Sequence, residues 1–107
     1  MPTSISLKDI TVVIPTLNER EAIGIVLDEL LVEGCVNVLV VDGYSTDGTV
    51  DIVRGKGVPI IYQHGADKVE AIKTALEHVK TPYILVIDGD HTYDPKDIKH
   101  MLQTTMR

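Results

Sequence analysis

The sequence predicts an α/β fold: a doubly wound, mainly parallel sheet of four strands with helices on both faces. Three observations predict it. Four short apolar runs rich in β-branched residues lie at 10–14, 36–41, 58–62 and 83–87. None alternates apolar with polar residues, and continuous apolar strands belong to a parallel sheet covered on both faces. The stretches between them repeat apolar residues at helical spacing, giving the order β-α-β-α-β-α-β-α. Right-handed crossovers turn that order into an open, doubly wound sheet.

Taken in order, the first strand ends at Pro15. The helix after it should bury Ile23, Val26, Leu27, Leu30 and Leu31, with Asn18 and Glu21 as a capping-box-like start and Gly34 as the stop. A shorter second helix spans about residues 46–54, turns Val50 and Val53 inward and ends at Gly55 and Gly57. Ser45, Thr46 and Asp47 are expected to cap it. In the third helix Val69, Ile72, Leu76 and Val79 form the stripe, Asp67 and Glu70 cap the start, and Thr81-Pro82 closes it. A fourth begins at Asp94-Pro95 and carries Ile98, Met101 and Leu102. It runs to Arg107 without a capping signal, so the chain is expected to be cut short there. No internal repeat or linker interrupts residues 1–107, which should form one domain.

The chain has 107 residues, 44% of them hydrophobic, enough for a single core that buries about two thirds of the unfolded surface. Its formal charge of −6, from 16 acidic and 10 basic residues, opposes nucleic-acid binding, which needs clustered Lys and Arg. The absence of Trp and Phe also removes stacking platforms for single strands. An acidic protein that binds phosphates needs local help from a metal ion, a helix N-terminus or a placed cation. Cys35 is the single cysteine, and the polar start lacks the apolar core of a secretory signal, so a cytoplasmic setting is expected. No apolar run reaches the ~20 residues of a membrane span, which leaves at most peripheral membrane contact.

In a doubly wound sheet, ligands gather at the strand C-terminal ends. Those ends read Pro15-Thr16-Leu17-Asn18-Glu19, Asp42-Gly43-Tyr44-Ser45-Thr46-Asp47-Gly48-Thr49, Gln63-His64-Gly65 and Asp88-Gly89-Asp90. Carboxylates brought to one edge repel, so this edge calls for a cation or a hydrogen-bond-donating ligand. Asp88 and Asp90 leave their strand on the same side, and the Gly between them admits a ligand to the backbone. Two hard oxygen donors suit Mg²⁺ or Mn²⁺, which complete their shells with water and substrate phosphates. The competing account is a plain Asp-Gly turn; the apolar run before it and the helix signal after it favour the metal. Asp42 is placed to accept hydrogen bonds from a base or ribose. Asn18 and Glu19 are explained equally by helix capping and the helix dipole. Lys68 belongs by default to a solvated face, although its place near a helix start would let it reach a phosphate. His64, His91 and His100 have no metal-ligand spacing.

Three segments in the right order carry a resemblance to a known family: Val13-Ile14-Pro15-Thr16-Leu17-Asn18-Glu19, Val40-Val41-Asp42-Gly43-Tyr44-Ser45-Thr46-Asp47-Gly48-Thr49, and Asp88-Gly89-Asp90-His91-Thr92-Tyr93-Asp94-Pro95. From about Ile10 onward the chain resembles the family 2 glycosyltransferases of the GT-A fold, and among them the polyprenyl-phosphate (dolichyl-phosphate) mannose or glucose synthases. The resemblance implies a nucleotide-diphosphate sugar donor and a divalent metal at the acidic motif. It would place Pro15, Leu17 and Glu19 along the nucleotide pocket, Asp42 at the base or ribose, and Asp88 near the ribose, the sugar and the metal. Asp90 would be the catalytic metal ligand. Gly43 departs from the pattern, since many relatives carry a second Asp there, and relatives continue beyond this length.

The expectation is therefore a nucleotide-sugar-binding domain of an inverting glycosyltransferase that passes a hexose to an acceptor such as a polyprenyl phosphate, at the cytoplasmic face of a membrane. The rival is a non-catalytic module of the same fold that binds a nucleotide or, through a hydrophobic sheet edge, forms a homodimer. A receiver-like domain is disfavoured because the first strand ends in Pro15 without an acidic pair. A dinucleotide-binding domain is disfavoured because no Gly-rich turn follows that strand.

Overall fold

The computed structural model describes residues 6–65, 67–92 and 97. After a short 3₁₀ turn at Leu7–Asp9 come β1 (Ile10–Thr16), α1 (Arg20–Val32), β2 (Val38–Asp42), α2 (Thr49–Gly55), β3 (Ile60–Tyr62), α3 (Lys68–Leu76) and β4 (Tyr83–Val86). All strand pairs are parallel, in the order β3-β2-β1-β4. The α/β class and doubly wound sheet expected from the sequence are therefore present. The fourth helix expected from Asp94 lies outside the described residues, Asp97 apart.

The sheet separates two cores. On one face Ile10, Val12 and Ile14 of β1 and Val40 of β2 meet Ile23, Val26, Leu27 and Leu30 of α1 and Val53 of α2. On the other face Val13, Leu39 and Val41 meet Ala71 and Ala75 of α3. Alternate β1 residues thus serve opposite cores, and all seven residues of that strand are buried. Among the described residues β3 and β4 are the outer strands, and Tyr62, Tyr83 and Val86 on them are exposed. No described helix is long and apolar enough to cross a membrane.

Several expected details shift. Leu31 is 74% exposed whereas Leu30 is fully buried. One residue rotates about 100° around a helix axis, which carries Leu31 off the stripe centred on Ile23, Val26, Leu27 and Leu30. The third stripe holds only in part: Val79 packs against the second core, but Val69 and Leu76 are 58% and 56% exposed, and Ala71, Thr74 and Ala75 are buried. Small side chains let α3 lie close against Val13, Leu39 and Val41. The buried Thr74 hydroxyl donates to the Glu70 carbonyl at 2.8 Å and accepts from the His64 amide at 3.1 Å. β2 and β3 also start two residues later than expected; Pro59, which has no N–H to give, stands just before β3, and its carbonyl accepts from the Val40 amide at 3.0 Å.

The sheet order places a switch point between β1 and β4. The chain winds one way from β1 through β2 to β3, then crosses to the other side of β1. Val13 of β1 pairs with Val86 of β4, and the Ile87 amide donates to the Val13 carbonyl at 3.1 Å. Asp88 therefore emerges beside the end of β1, where open α/β sheets present a crevice.

The corrected helix phase makes a paired prediction for urea denaturation. Leu30→Ala should cost about 2–5 kcal/mol, whereas Leu31→Ala should cost less than about 0.5 kcal/mol.

Candidate functional site

The wall of the site begins with Asp42, the last residue of β2, whose side chain is fully buried. A carboxylate removed from water must have its oxygens hydrogen-bonded. The hydroxyls of Thr16 and Ser45 donate to Oδ1 at 2.7 and 2.6 Å, and the Ser45 amide donates to Oδ2 at 2.7 Å. Asp42 thereby joins the end of β1 to the loop after β2.

That loop in turn caps α1 from outside. The amides of Asn18, Glu19 and Arg20 donate to Ser45 Oγ, Thr49 Oγ1 and Asp47 Oδ2 at 2.8, 2.9 and 3.1 Å. Helix N-termini leave such donors unpaired unless something meets them. The expected local cap is therefore corrected: Asn18 does not cap α1, and Glu19 at the cap position makes no side-chain capping bond. Asn18 has a left-handed backbone (φ 54) and its Oδ1 accepts from the Thr46 amide at 2.8 Å. Asp47 also holds α2, accepting from the Thr49 amide at 3.0 Å, while Gly48, at φ 99, takes the cap position. The many hydrogen bonds to Asp47, that of the Thr49 hydroxyl foremost, hold its carboxyl below the ordinary aspartate value.

Beside this clasp lies a cavity of about 190 Å³. Pro15, Leu17 and Glu19 line it from the β1 side, Asp88 and Asp90 from beyond β4, Lys68 from the start of α3, and Gly43 and Gln63 from the ends of β2 and β3. Five of the six expected site residues thus share one crevice. Asp42 does not line it; the neighbouring Gly43 does. A larger cavity, about 850 Å³, lies at the opposite end of the sheet among Val36, Val58, Pro59 and Val79, and none of the expected site residues reaches it.

Gly89 lets the acidic motif seat against β1. A Cβ on it would lie 3.0 Å from Thr16 Cγ2, 3.4 Å from Ile14 Cγ2 and 3.5 Å from Glu19 Cγ. Glu19 pays for this convergence: burial first, then the charges of Asp90 and Asp88, raise its carboxyl above the ordinary glutamate value. Lys68 Nζ is paired with Asp88 Oδ1, and this hydrogen bond raises the ammonium's own pKa. Asp90 Oδ1 accepts from the Thr92 hydroxyl and amide at 2.8 and 3.2 Å. His91, also left-handed at φ 61, places Nε2 2.6 Å from Glu29 Oε1 and so ties the motif to α1.

Among the described residues no three His, Cys, Asp or Glu side chains form a cage for a metal ion. Asp88 and Asp90 nonetheless fit one that arrives with other ligands, because Mg²⁺ and Mn²⁺ commonly take one or two carboxylates and complete their shell with phosphate and water. The ion pair of Lys68 was not legible in the sequence, which offered a solvated helix face or, from its place near a helix start, a phosphate contact. Gln63 was visible as a strand-end residue; its Nε2 donates to the Gly65 carbonyl at 2.7 Å, which anchors it beside Gly43.

Comparison with known proteins agrees with the fold. The family model described as glycosyl transferase family 2 matches residues 11–106. A glycosyltransferase of Haloferax volcanii, AglJ, is 42% identical over 94 residues, 87% of this chain and 31% of the relative. The dolichyl-phosphate hexose transferase of the same organism is 34% identical over 93 residues, 85% of this chain and 40% of the relative. The chain thus spans less than half the length of these relatives. Among solved structures, glucosyl-3-phosphoglycerate synthase from Mycobacterium tuberculosis, in complex with Mn²⁺ and UDP-glucose, superposes with a TM-score of 0.78 at 26% identity, covering 91% of this chain and 39% of that one. Mannosyl-3-phosphoglycerate synthase from Rubrobacter xylanophilus gives a TM-score of 0.72 at 25% identity, covering 81% and 32%.

The two shifted carboxyls predict opposite pH signatures in thermal melts run between about pH 2 and pH 7. A raised folded-state pKa means that ionised Glu19 costs stability at neutral pH, a cost that fades as pH falls through the folded value. Glu19→Gln should therefore melt higher than the parent at pH 7, with the gain gone below about pH 4. A depressed folded-state pKa means that Asp47 contributes stability above its ordinary value of about 3.9 and loses it as pH falls through the folded value. Asp47→Asn should melt lower at pH 7, and the difference should close in acid.

Proposed function

The chain belongs to glycosyl transferase family 2, and from that premise we propose that the crevice at the ends of β1 and β4 is the donor site of a glycosyltransferase that uses a nucleotide-diphosphate sugar. The observation that carries this reading is the convergence of Glu19, Asp88, Asp90 and Lys68 on one cavity beside a topological switch point. An acidic pocket of this kind has little use for a free anion but suits an anion that brings a divalent cation.

Mg²⁺ or Mn²⁺, held by Asp88 and Asp90, would neutralise the charge that gathers on the departing nucleoside diphosphate. Pro15 and Leu17 supply an apolar wall for the base, and Leu17, more than half exposed, has surface to give it. Glu19 and Asp88 face the ribose and sugar, and the Lys68 ammonium, on the flank of the crevice, is placed for a phosphate oxygen. Asp42 serves the nucleotide through the loop it holds; a direct contact with base or ribose requires Ser45 to turn away from its carboxylate.

In the transfer an acceptor oxygen bonds to the anomeric carbon from the face opposite the leaving group. The bond from that carbon to the diphosphate oxygen breaks, and the electron pair leaves with the diphosphate. A polyprenyl phosphate as acceptor is supported by the name of one Haloferax relative. Its oxygen is already anionic, so little general-base help is needed from the protein. The setting we infer is the cytoplasmic face of a membrane.

Calorimetric titration with UDP-glucose and GDP-mannose, with and without Mn²⁺, tests the donor site. One of the donors should bind in a Mn²⁺-dependent manner, and Asp90→Ala should weaken that binding by more than about tenfold, or 1.4 kcal/mol. Binding that ignores both Mn²⁺ and the substitution would leave the chain a nucleotide-binding module without a metal-assisted donor site.

A further inference from the structure

We propose that Lys68 is a resident counter-cation: it holds Asp88 until a divalent ion takes that oxygen, and its ammonium then passes to the diphosphate. Metal and nucleotide would therefore enter the crevice together rather than in sequence. The proposal rests on the donor-site reading above and deepens it.

Lys68 is the only cationic side chain lining the crevice among the described residues, against the carboxylates of Glu19, Asp67, Asp88 and Asp90. Its hydrogen bond to Asp88 Oδ1 places a single positive charge on the oxygen that a divalent ion would seek. An ammonium and a metal ion cannot share that position, because like charges in contact repel. A metal ion that takes Oδ1 without nucleotide therefore evicts Lys68 into water. When a diphosphate arrives with the metal, the evicted ammonium meets phosphate oxygens within the same crevice.

The pair is built to exchange. Side-chain exposure is 65% for Lys68 and 46% for Asp88, and exposed ion pairs are weak and screened by salt. Lys68 is the first residue of α3, so its flexible stem swings without disturbing the helix. By linkage, whatever Lys68 adds to nucleotide affinity in the presence of metal it adds equally to metal affinity in the presence of nucleotide.

The test measures Mn²⁺ alone, by the electron spin resonance of the free ion, and UDP at saturating Mn²⁺, by calorimetry, both at low salt. With the competing ammonium gone, Lys68→Gln should bind Mn²⁺ alone about two- to fivefold more tightly than the parent. The same variant should bind UDP with Mn²⁺ about tenfold more weakly, since a charge-assisted contact is lost. Lys68→Arg, which keeps the charge, should bind Mn²⁺ alone like the parent, and circular dichroism of each variant checks that the fold is intact. If Lys68→Gln binds Mn²⁺ alone no more tightly than the parent while Asp90→Asn abolishes that binding, the exchange is overturned and the donor site stands. If Asp90→Asn retains Mn²⁺ as well, the site reading falls with it.

Discussion

A buried carboxylate, that of Asp42, joins the two loops on which the crevice depends. Left alone in the interior it would be strongly unfavourable, but donors from Thr16 and Ser45 satisfy it. Those bonds set the height of the loop after β2 relative to the end of β1. From that height Ser45, Asp47 and Thr49 reach the first amides of α1, and so the position of Glu19 follows from a residue 23 positions further along the chain. The same loop leaves Gly43 facing the cavity and turns Tyr44, left-handed at φ 68, onto the ring of Tyr62 at 5.2 Å.

The crevice reverses the economy of the cores. In the cores every apolar face finds a partner; at the strand ends like charges are pressed together. Glu19 is partly buried next to Asp88 and Asp90, with one ammonium in the vicinity, and its carboxyl is raised as a consequence. Perturbed groups of this kind concentrate where proteins bind ligands, because a ligand or cation relieves what the fold alone does not. Gly89 is what makes the crowding attainable, since a side chain there would meet Thr16, Ile14 and Glu19.

The acidic motif is held from two directions. On one side the register of β4 against β1 delivers Asp88 beside the end of β1; on the other, His91 reaches Glu29 on α1. Asp90 lies between these anchors, its Oδ1 already bonded to Thr92. A short turn fixed at both ends keeps its carboxylates in place without a cage of ligands, the arrangement a hydrated cation with phosphate partners requires. The Rossmann-like order of the sheet contributes the remaining element, an open crevice where the winding changes direction.

Much of this was legible in the residues themselves. Continuous β-branched runs announced parallel strands, of which β1 and β2 are buried and the outer β3 and β4 only in part, and the stripe of Ile23, Val26, Leu27 and Leu30 announced α1, because these patterns are local and periodic. The strand-end positions of Pro15, Leu17, Glu19, Asp88 and Asp90 followed from the element order alone. The phase of α3 was not legible: the larger Val69 and Leu76 drew the reading, yet close approach to the sheet selected Ala71 and Ala75. Local reasoning placed Asp47 at the start of α2, where it accepts from the Thr49 amide, but could not show that Ser45 and Asp47 also cap α1 about 27 residues away. The sequence by itself determined which elements form and at which edge the carboxylates gather, since periodicity and strand polarity act over neighbouring residues. Only the tertiary structure decided that Asp42 is enclosed and that Lys68 pairs with Asp88, because hydrogen bonds and charge pairs are set by distances that chain folding alone creates.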